Sequence, residues 1–394
     1  MLHQTSEDTI TKPVIFLAFA NPTAGARGYL RNLGEEARQL ENTIRQAKVD
    51  DLCELVIKPY AGLAEIIEVF QEYRNRIAIF HYAGHAKNFM LLLEDSDGNI
   101  GNIGSINNSN TGKNRGTTLI DGRGLAAFLG EQNSLQLVFL NACSTQPQVD
   151  ELFNANVPAV IATSQSIRDD VATRFATHFY QSLTSGANLQ KAYNEAESVA
   201  KAMVGEGNVR DIYFEDEAGD ATDFDDWPWR LTINQGAEQI SEWSLAEAAN
   251  EPLFGLPPLP EHDLPEQPFR HLNFFQERDA EIFFGRGHQI RTLYDLVTTP
   301  DSAPIILFYG ESGVGKSSML AAGLLPRLQH QTIHYVRRDQ QLGLTETLVQ
   351  TLWMGESVPE MLDAEIVAKR WHELEQGANN GDSKPLMIIL DQVE

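Results

Sequence analysis

Two cysteines in 394 residues, Cys53 and Cys143, leave nothing from which to build a disulfide framework, so the secreted cysteine-stapled class is excluded. Bases are also scarce: 30 Lys and Arg stand against 55 Asp and Glu, a net charge of -25. Proteins whose main partner is nucleic acid need a basic face to displace counterions, and adhesion to anionic membranes needs the same. Neither role suits this chain. Long hydrophobic runs are missing as well. After a polar start, Met1 to Lys12, the first apolar run, Val14–Ala20, is too short for a signal sequence or a membrane span. A soluble cytoplasmic protein is expected. What remains is an ordinary globular balance, 42% hydrophobic and 22% charged, at a length that suits two or three domains.

The charge is uneven. Residues 206–281 hold 19 acids and 4 bases, so this stretch carries -15 of the -25. Within it, Glu251–Pro268 has six prolines in 18 residues and cannot form a helix or a central strand. It reads as a linker dividing the chain. Before it, strand and helix patterns alternate. Strands are expected at Val14–Ala20, Leu52–Ile57, Ile77–Phe80, Leu135–Leu140, Pro158–Ala162 and Trp229–Ile233. Helices are expected over Arg27–Lys48, Leu63–Tyr73, Gly122–Leu129, Asp169–Leu183 and Leu189–Met203, with a Gly/Asn/Ser loop over Gly98–Gly116. Such alternation predicts an α/β three-layer sandwich around a largely parallel sheet, with the site beyond the carboxyl ends of the strands. The acidic segment Glu215–Asp226, with seven acids and no base, should be extended and mobile. After the linker, a buried strand at Ile305–Tyr309, a helix over Lys316–Leu325 and a strand at Leu386–Leu390 predict a second α/β domain.

Two apolar strands each end in a reactive side chain: Ile77-Ala-Ile-Phe-His81-Tyr-Ala-Gly84-His85, and Leu137-Val-Phe-Leu-Asn141-Ala142-Cys143. A cysteine nucleophile needs a base to become thiolate, and histidine is the usual one. If the strands are neighbours, both side chains open into one cleft. Backbone N–H groups of Ala86 and Cys143 would then serve an oxyanion. The bland alternative is a buried small thiol and a structural histidine, and the pairing of the two strand ends argues against it.

These motifs, "HYAGH" and "LNACST", followed by "VPAVIATSQSIRDDVATRFATHFYQSLTSGANLQKAYNEA" and "WPWRLTI", resemble the CHAT domain, a bacterial branch of the caspase-like cysteine peptidases related to separase. The resemblance spans residues 12–235. It implies a caspase-like three-layer α/β/α sandwich, Cys143 as nucleophile, His85 as its base, and a structural role for His81. The family commonly has Gly after the catalytic His, where this chain has Ala86, and only the N–H of that residue is needed. Related enzymes that cut after basic residues use acids in the pocket for the residue before the scissile bond. Asp150, Asp169 and Asp170 are the candidates, and Asp169 is equally a candidate helix N-cap.

Gly310-Glu-Ser-Gly313-Val-Gly315-Lys316-Ser317 fits G-x-x-x-x-G-K-[ST], a loop whose backbone N–H groups cradle phosphates at a helix N-terminus. Gly310, Gly313, Gly315, Lys316, Ser317 and Ser318 are the expected nucleotide-binding residues. Ser317 and Asp391, the latter ending the apolar strand Leu386–Leu390, are the expected Mg²⁺ residues. Gln392 follows Asp391 where many ATPases have Glu, which favours a slow switch over a motor. With "FRHLNFFQERDAEIFFGRGHQI" ahead of the loop, the segment from Phe269 resembles STAND-type signalling NTPases. That resemblance implies bound ATP or ADP with Mg²⁺, a trigger sensed by further C-terminal domains, and homo-oligomers on activation. It also implies a role in bacterial anti-phage defence or regulated cell death. The 126 residues from Phe269 to Glu394 stop within the Walker B motif, so an incomplete P-loop domain, and hence an N-terminal fragment, is expected.

The expected organisation is therefore a peptidase domain over 12–235, an acidic Pro-rich linker over 236–268, and the start of a P-loop NTPase domain over 269–394. The leading functional expectation is a cysteine endopeptidase acting on a protein substrate under nucleotide control. The competing one is a catalytically degenerate caspase-like adaptor, and a third is an ATPase that its N-terminal domain only regulates.

Overall fold

The computed structural model describes residues 12–21, 29–87, 90–95, 116–204, 227–260, 262–264, 268, 273–299, 303–329, 331–337, 341–354, 356–376 and 384–391. The expected mobile segment Glu215–Asp226 and most of the Gly98–Gly116 loop lie outside them. The chain divides into two compact units, Met1–Leu256 and Pro257–Glu394.

In the first unit the order is β1 (Val14–Phe19), α1 (Leu33–Val49), β2 (Glu54–Lys58), α2 (Leu63–Glu72), β3 (Ile77–Gly84), β4 (Ala86–Lys87), β5 (Met90–Asp95) and β6 (Gly116–Asp121). Then come α3 (Gly122–Gly130), β7 (Leu137–Ala142), α4 (Gln148–Asn154), β8 (Ala159–Thr163), α5 (Asp169–Thr184), α6 (Leu189–Val204), β9 (Trp229–Ile233) and α7 (Leu245–Asn250). Six strands form one sheet in the order β2-β1-β3-β7-β8-β9. Every neighbouring pair is parallel except β8–β9. The central strands are buried on both faces, which is why they read as unbroken apolar runs.

Alternation sends their side chains into two separate cores. Ile15, Leu17, Ile79, Leu137, Phe139 and Ile161 pack with residues of α1, α5 and α6. Phe16, Phe80, Tyr82, Val138, Leu140 and Val160 pack with residues of α2, α3 and α4. A parallel sheet covered on both faces is the three-layer sandwich predicted. Each such side chain contributes roughly 1.5–3 kcal/mol when fully buried.

Two features depart from expectation. An antiparallel ribbon, β4-β5-β6, follows β3 and was not anticipated. β4 is only two residues long, and the Gly/Asn/Ser-rich stretch between β5 and β6 masked the pairing. The segment 236–256, expected as linker, is instead packed. Ile240, Leu245, Ala248 and Phe254 join the α1/α5/α6 core. The N–H of Leu189 donates to the carbonyl of Trp243 at 2.9 Å, and Ser244 caps α7 through the N–H of Glu247. The acidic residues face water while the apolar ones turn inward, so net charge was a poor guide. Gly255 (φ 76°) turns the chain where a Cβ would lie 2.0 Å from the carbonyl oxygen of Asn75.

The second unit holds a 3₁₀ turn at Glu277–Ile282, α8 (Gly287–Thr298), α9 (Lys316–Ser318), β10 (Thr332–Arg337), α10 (Gly343–Leu352), α11 (Ala364–Gln376) and β11 (Leu386–Asp391). α9 continues as π- and 3₁₀-helix to Arg327. β10 and β11 pair in parallel. The expected buried strand Ile305–Tyr309 is not formed: among the described residues it has no ladder partner, and Ile305 and Leu307 are 86% and 78% exposed. An apolar β-branched run becomes a strand only where a neighbour supplies hydrogen bonds, and β10 and β11 supply them to each other. Among the described residues no helix is long and apolar enough to cross a membrane.

Candidate active site and nucleotide site

β3 and β7 are adjacent and parallel, and their register ends at Gly84 opposite Ala142. The next residues, His85 and Cys143, therefore leave the sheet side by side at its carboxyl edge. Strand alternation gives both the parity of Ala83 and Phe139, which belong to the α1/α5 side. The two expected catalytic residues are thus neighbours in the fold and share a face.

Local chemistry holds each in place. At Gly84 a Cβ would sit 2.6 Å from the carbonyl oxygen of Ala20 and 2.7 Å from the hydroxyl of Tyr82, so only glycine fits. Tyr82 is buried, and its hydroxyl meets the carbonyls of His85 at 2.8 Å and Leu92 at 2.7 Å. After Cys143, Ser144 adopts a left-handed φ of 53°, an uncommon conformation for serine. The turn is then stitched down by two hydroxyls the sequence did not single out. Thr145 Oγ1 donates to the carbonyl of Leu140 at 3.2 Å and lies 3.2 Å from Thr163 Oγ1. Thr163 Oγ1 donates in turn to the carbonyl of Ala142. Thr145 sits two residues past the cysteine, but nothing in its type distinguishes it from a surface threonine.

Cys143 is half-buried, with Sγ 4.0 Å from the carbonyl oxygen of Ile167. Burial pushes its thiol above the ordinary value, hydrogen bonding with the Ile167 backbone and the Ser166 side chain opposes this, and the charge of Asp169 adds to it. Burial thus favours the thiol over the thiolate, and a nucleophilic role would need a base beside it. Cys53 is deeper, and burial pushes it up to about 12. Ala86 opposes Leu91 across β4–β5, while the N–H of Leu92 donates to the carbonyl of His85. In an antiparallel ladder that makes Ala86–Leu91 a non-hydrogen-bonded pair, so the N–H of Ala86 faces away from β5.

The three candidate pocket acids separate. Asp150 is exposed on α4, on the opposite side of the sheet from the Cys143 face. Asp170 is held by Arg168 in a two-pronged ion pair at 3.0 and 3.1 Å. Of the three, only Asp169 lies where its charge interacts with both His85 and Cys143. Its carboxyl is raised by burial first and then by the charge of Glu36, while His85 and the N–H of Asn32 pull it down. The N-cap alternative for Asp169 fails: Arg168 is the N-cap of α5, and Asp169 is the first helical residue. His81 is fully buried, its Nδ1 3.2 Å from the hydroxyl of Tyr180.

In the second unit the glycine loop has the turns its sequence requires, with Gly313 at φ 84° and Gly315 at φ 91°. Lys316 Nζ folds back to the carbonyls of Gly310 at 2.6 Å and Glu311 at 3.0 Å. Ser317 Oγ donates to Asp391 Oδ1 at 3.0 Å, bringing together the hydroxyl and carboxylate oxygens a Mg²⁺ ion favours. The residues therefore fit a nucleotide with its metal. Tyr335 was not singled out, yet its hydroxyl donates to Asp391 Oδ2 at 2.7 Å. Ser318 points elsewhere: its Oγ accepts from the N–H of Phe275 at 3.1 Å, a packing bond inside the unit.

Comparison with known families agrees with this division. The family model described as CHAT domain matches residues 2–211, more than half of the chain, and the one described as Novel STAND NTPase 1 matches residues 268–394. The search of curated proteins finds no match. A STAND NTPase domain implies nucleotide binding, and a CHAT domain implies a caspase-like, protease-type fold. The chain belongs to the CHAT family, its caspase-like domain fused to a STAND NTPase domain.

Proposed function

We propose that the protein is a cysteine endopeptidase effector whose activity is controlled by its attached nucleotide switch. The observation that carries this reading is the register of β3 and β7, which releases His85 and Cys143 side by side at one sheet edge. Cys143 attacks a peptide carbonyl as His85 takes its proton, and the imidazolium passes that proton to the leaving nitrogen, giving a thioester, a free amine and a neutral imidazole. Water, activated by the same imidazole, then releases the acid. The N–H groups of Ala86 and Cys143 are the donors available to the oxyanion. Asp169 is the one pocket candidate on the dyad face, so it is the residue that bears on substrate preference.

In the second unit, Gly310, Gly313, Gly315 and Lys316 would hold the phosphates of ATP or ADP, and Ser317 and Asp391 the Mg²⁺ ion, which supplies charge neutralisation between them. The union of a peptidase-type domain with a signalling NTPase supports a role in anti-phage defence or regulated cell death, acting on a protein substrate once a trigger is sensed. The test is proteolysis of candidate proteins encoded beside the gene, with and without ATP. Cleavage that disappears in Cys143→Ala and in His85→Ala supports the reading. A wild-type chain that binds such proteins without cutting them, with a Cys143 no more reactive than Cys53, would make it an adaptor instead.

A further inference from the structure

On the sheet face that carries the reactive pair, two buried polar side chains, His81 and Asn141, interrupt a largely apolar core. Asn141 precedes Cys143 by two residues and is buried. Its Nδ2 donates to Glu36 Oε1 at 2.6 Å and to the carbonyl of Ala172 at 3.4 Å, and its Oδ1 accepts from Trp229 Nε1 at 3.1 Å. One amide thus ties the end of β7 to α1, α5 and β9. Glu36, in the first turn of α1, is a carboxylate only 3% exposed. The same Oε1 lies 3.6 Å from Nε2 of His81.

Burying a carboxylate costs several kcal/mol unless it is well partnered, and an apolar residue at position 36 would spare the fold that cost. A carboxylate there does what an apolar residue cannot: it grips a neighbouring amide by a short, charge-assisted hydrogen bond, roughly twice as strong as a neutral one. It also stands close enough to Asp169 to raise that carboxyl, and Asp169 interacts with His85.

We propose that Glu36 is a positioning residue of the cysteine–histidine site: by gripping the Asn141 amide it fixes the carboxyl end of β7, and so holds Cys143 Sγ where His85 takes its proton. The proposal rests on the peptidase reading above. Its mode of action is geometric, so an isosteric acceptor should largely substitute for the carboxylate.

The test compares the whole chain with Glu36→Ala, Glu36→Gln and Trp229→Phe. Alkylation of Cys143 by iodoacetamide is read by mass spectrometry with Cys53 as internal reference, alongside melting temperature and substrate cleavage. Glu36→Ala should slow Cys143 alkylation and cleavage by about tenfold or more, the loss of one well-made contact, with Cys53 unchanged. Glu36→Gln, which keeps the acceptor, should recover to within about threefold of wild type, and Trp229→Phe should slow labelling by about threefold. A merely structural role would lower the melting temperature without changing the labelling of the folded protein. That outcome overturns the proposal while sparing the peptidase reading, and so does Glu36→Gln as slow as Glu36→Ala. If Glu36→Ala does not fold, wild-type labelling rates in both other variants overturn it. A wild-type chain that cleaves nothing and labels Cys143 no faster than Cys53 removes the peptidase reading, and the proposal with it.

Discussion

Gly84 is where the backbone beside the dyad has least room. Gly84→Ala would drive a methyl group into the Ala20 carbonyl and the Tyr82 hydroxyl, and neither can retreat without moving β1 or the residue behind His85. We expect a loss of about 1–3 kcal/mol, the usual cost of overpacking, and a several-fold fall in Cys143 labelling, checked by denaturant melts and alkylation. Asp169 gives a prediction with a definite sign. Its folded-state carboxyl is raised, chiefly by burial, so the folded protein bears a cost whenever Asp169 is charged. That cost is absent below the ordinary carboxyl range near about pH 4, grows as the pH rises from there to the raised value, and is constant above it. Asp169→Asn should therefore raise the melting temperature at pH 7, with a gain that shrinks as the pH falls toward 4. A gain independent of pH, or a loss at pH 7, would contradict it. At this scale the sequence revealed the residues that end apolar strands, His85 and Cys143. It concealed Glu36, Asn141, Thr145 and Thr163, whose roles follow from burial. A glutamate in the first turn of an amphipathic helix looks like any dipole-matching surface acid until the neighbouring elements close over it.

The elements that composition misread are those whose apolar residues are sparse. Segment 236–256 is acidic overall, yet Ile240, Leu245, Ala248 and Phe254 supply enough inward spacing to seat it on α5 and α6. Leu245 is fully buried, so Leu245→Ala should cost about 2–5 kcal/mol, measured by denaturant unfolding. Limited proteolysis should leave a core that extends to about Leu256 rather than stopping after β9. Early cutting within 237–256 would show that the strap is not seated. The Ile305–Tyr309 run errs the other way. It has the composition of a strand, but a strand is a shared object and this one has no partner among the described residues. The central sheet was legible because strands buried on both faces need unbroken apolar runs, and β1, β3 and β7 carry them. The β4-β5-β6 ribbon was missed because β5 and β6, though as long as the strands of the sheet, flank a Gly/Asn/Ser-rich stretch that reads as loop.

At the scale of the whole molecule, the two units carry separable chemistry, a thiol site in one and a phosphate loop in the other. Lys316→Ala removes the principal positive contact to bound phosphates, so it should abolish nucleotide-dependent activation of cleavage while leaving iodoacetamide labelling of Cys143 intact. Cys143→Ala should do the reverse, retaining nucleotide binding and losing cleavage. Cleavage equally fast with and without nucleotide, and unaffected by Lys316→Ala, would remove the switch and leave the peptidase. The division into a peptidase-type and a nucleotide unit was readable because both motifs directly follow apolar runs in the sequence, the pattern by which α/β sheets place chemistry. The register that brings His85 beside Cys143 was not readable, since strand order depends on packing rather than on local pattern. That register is the central claim, and alkylation of Cys143 in wild type and in His85→Ala tests it most directly. With His85 as its base, Cys143 should react at least about tenfold faster than Cys53 at neutral pH, and His85→Ala should erase most of that advantage. Equal rates in wild type and His85→Ala would contradict the account.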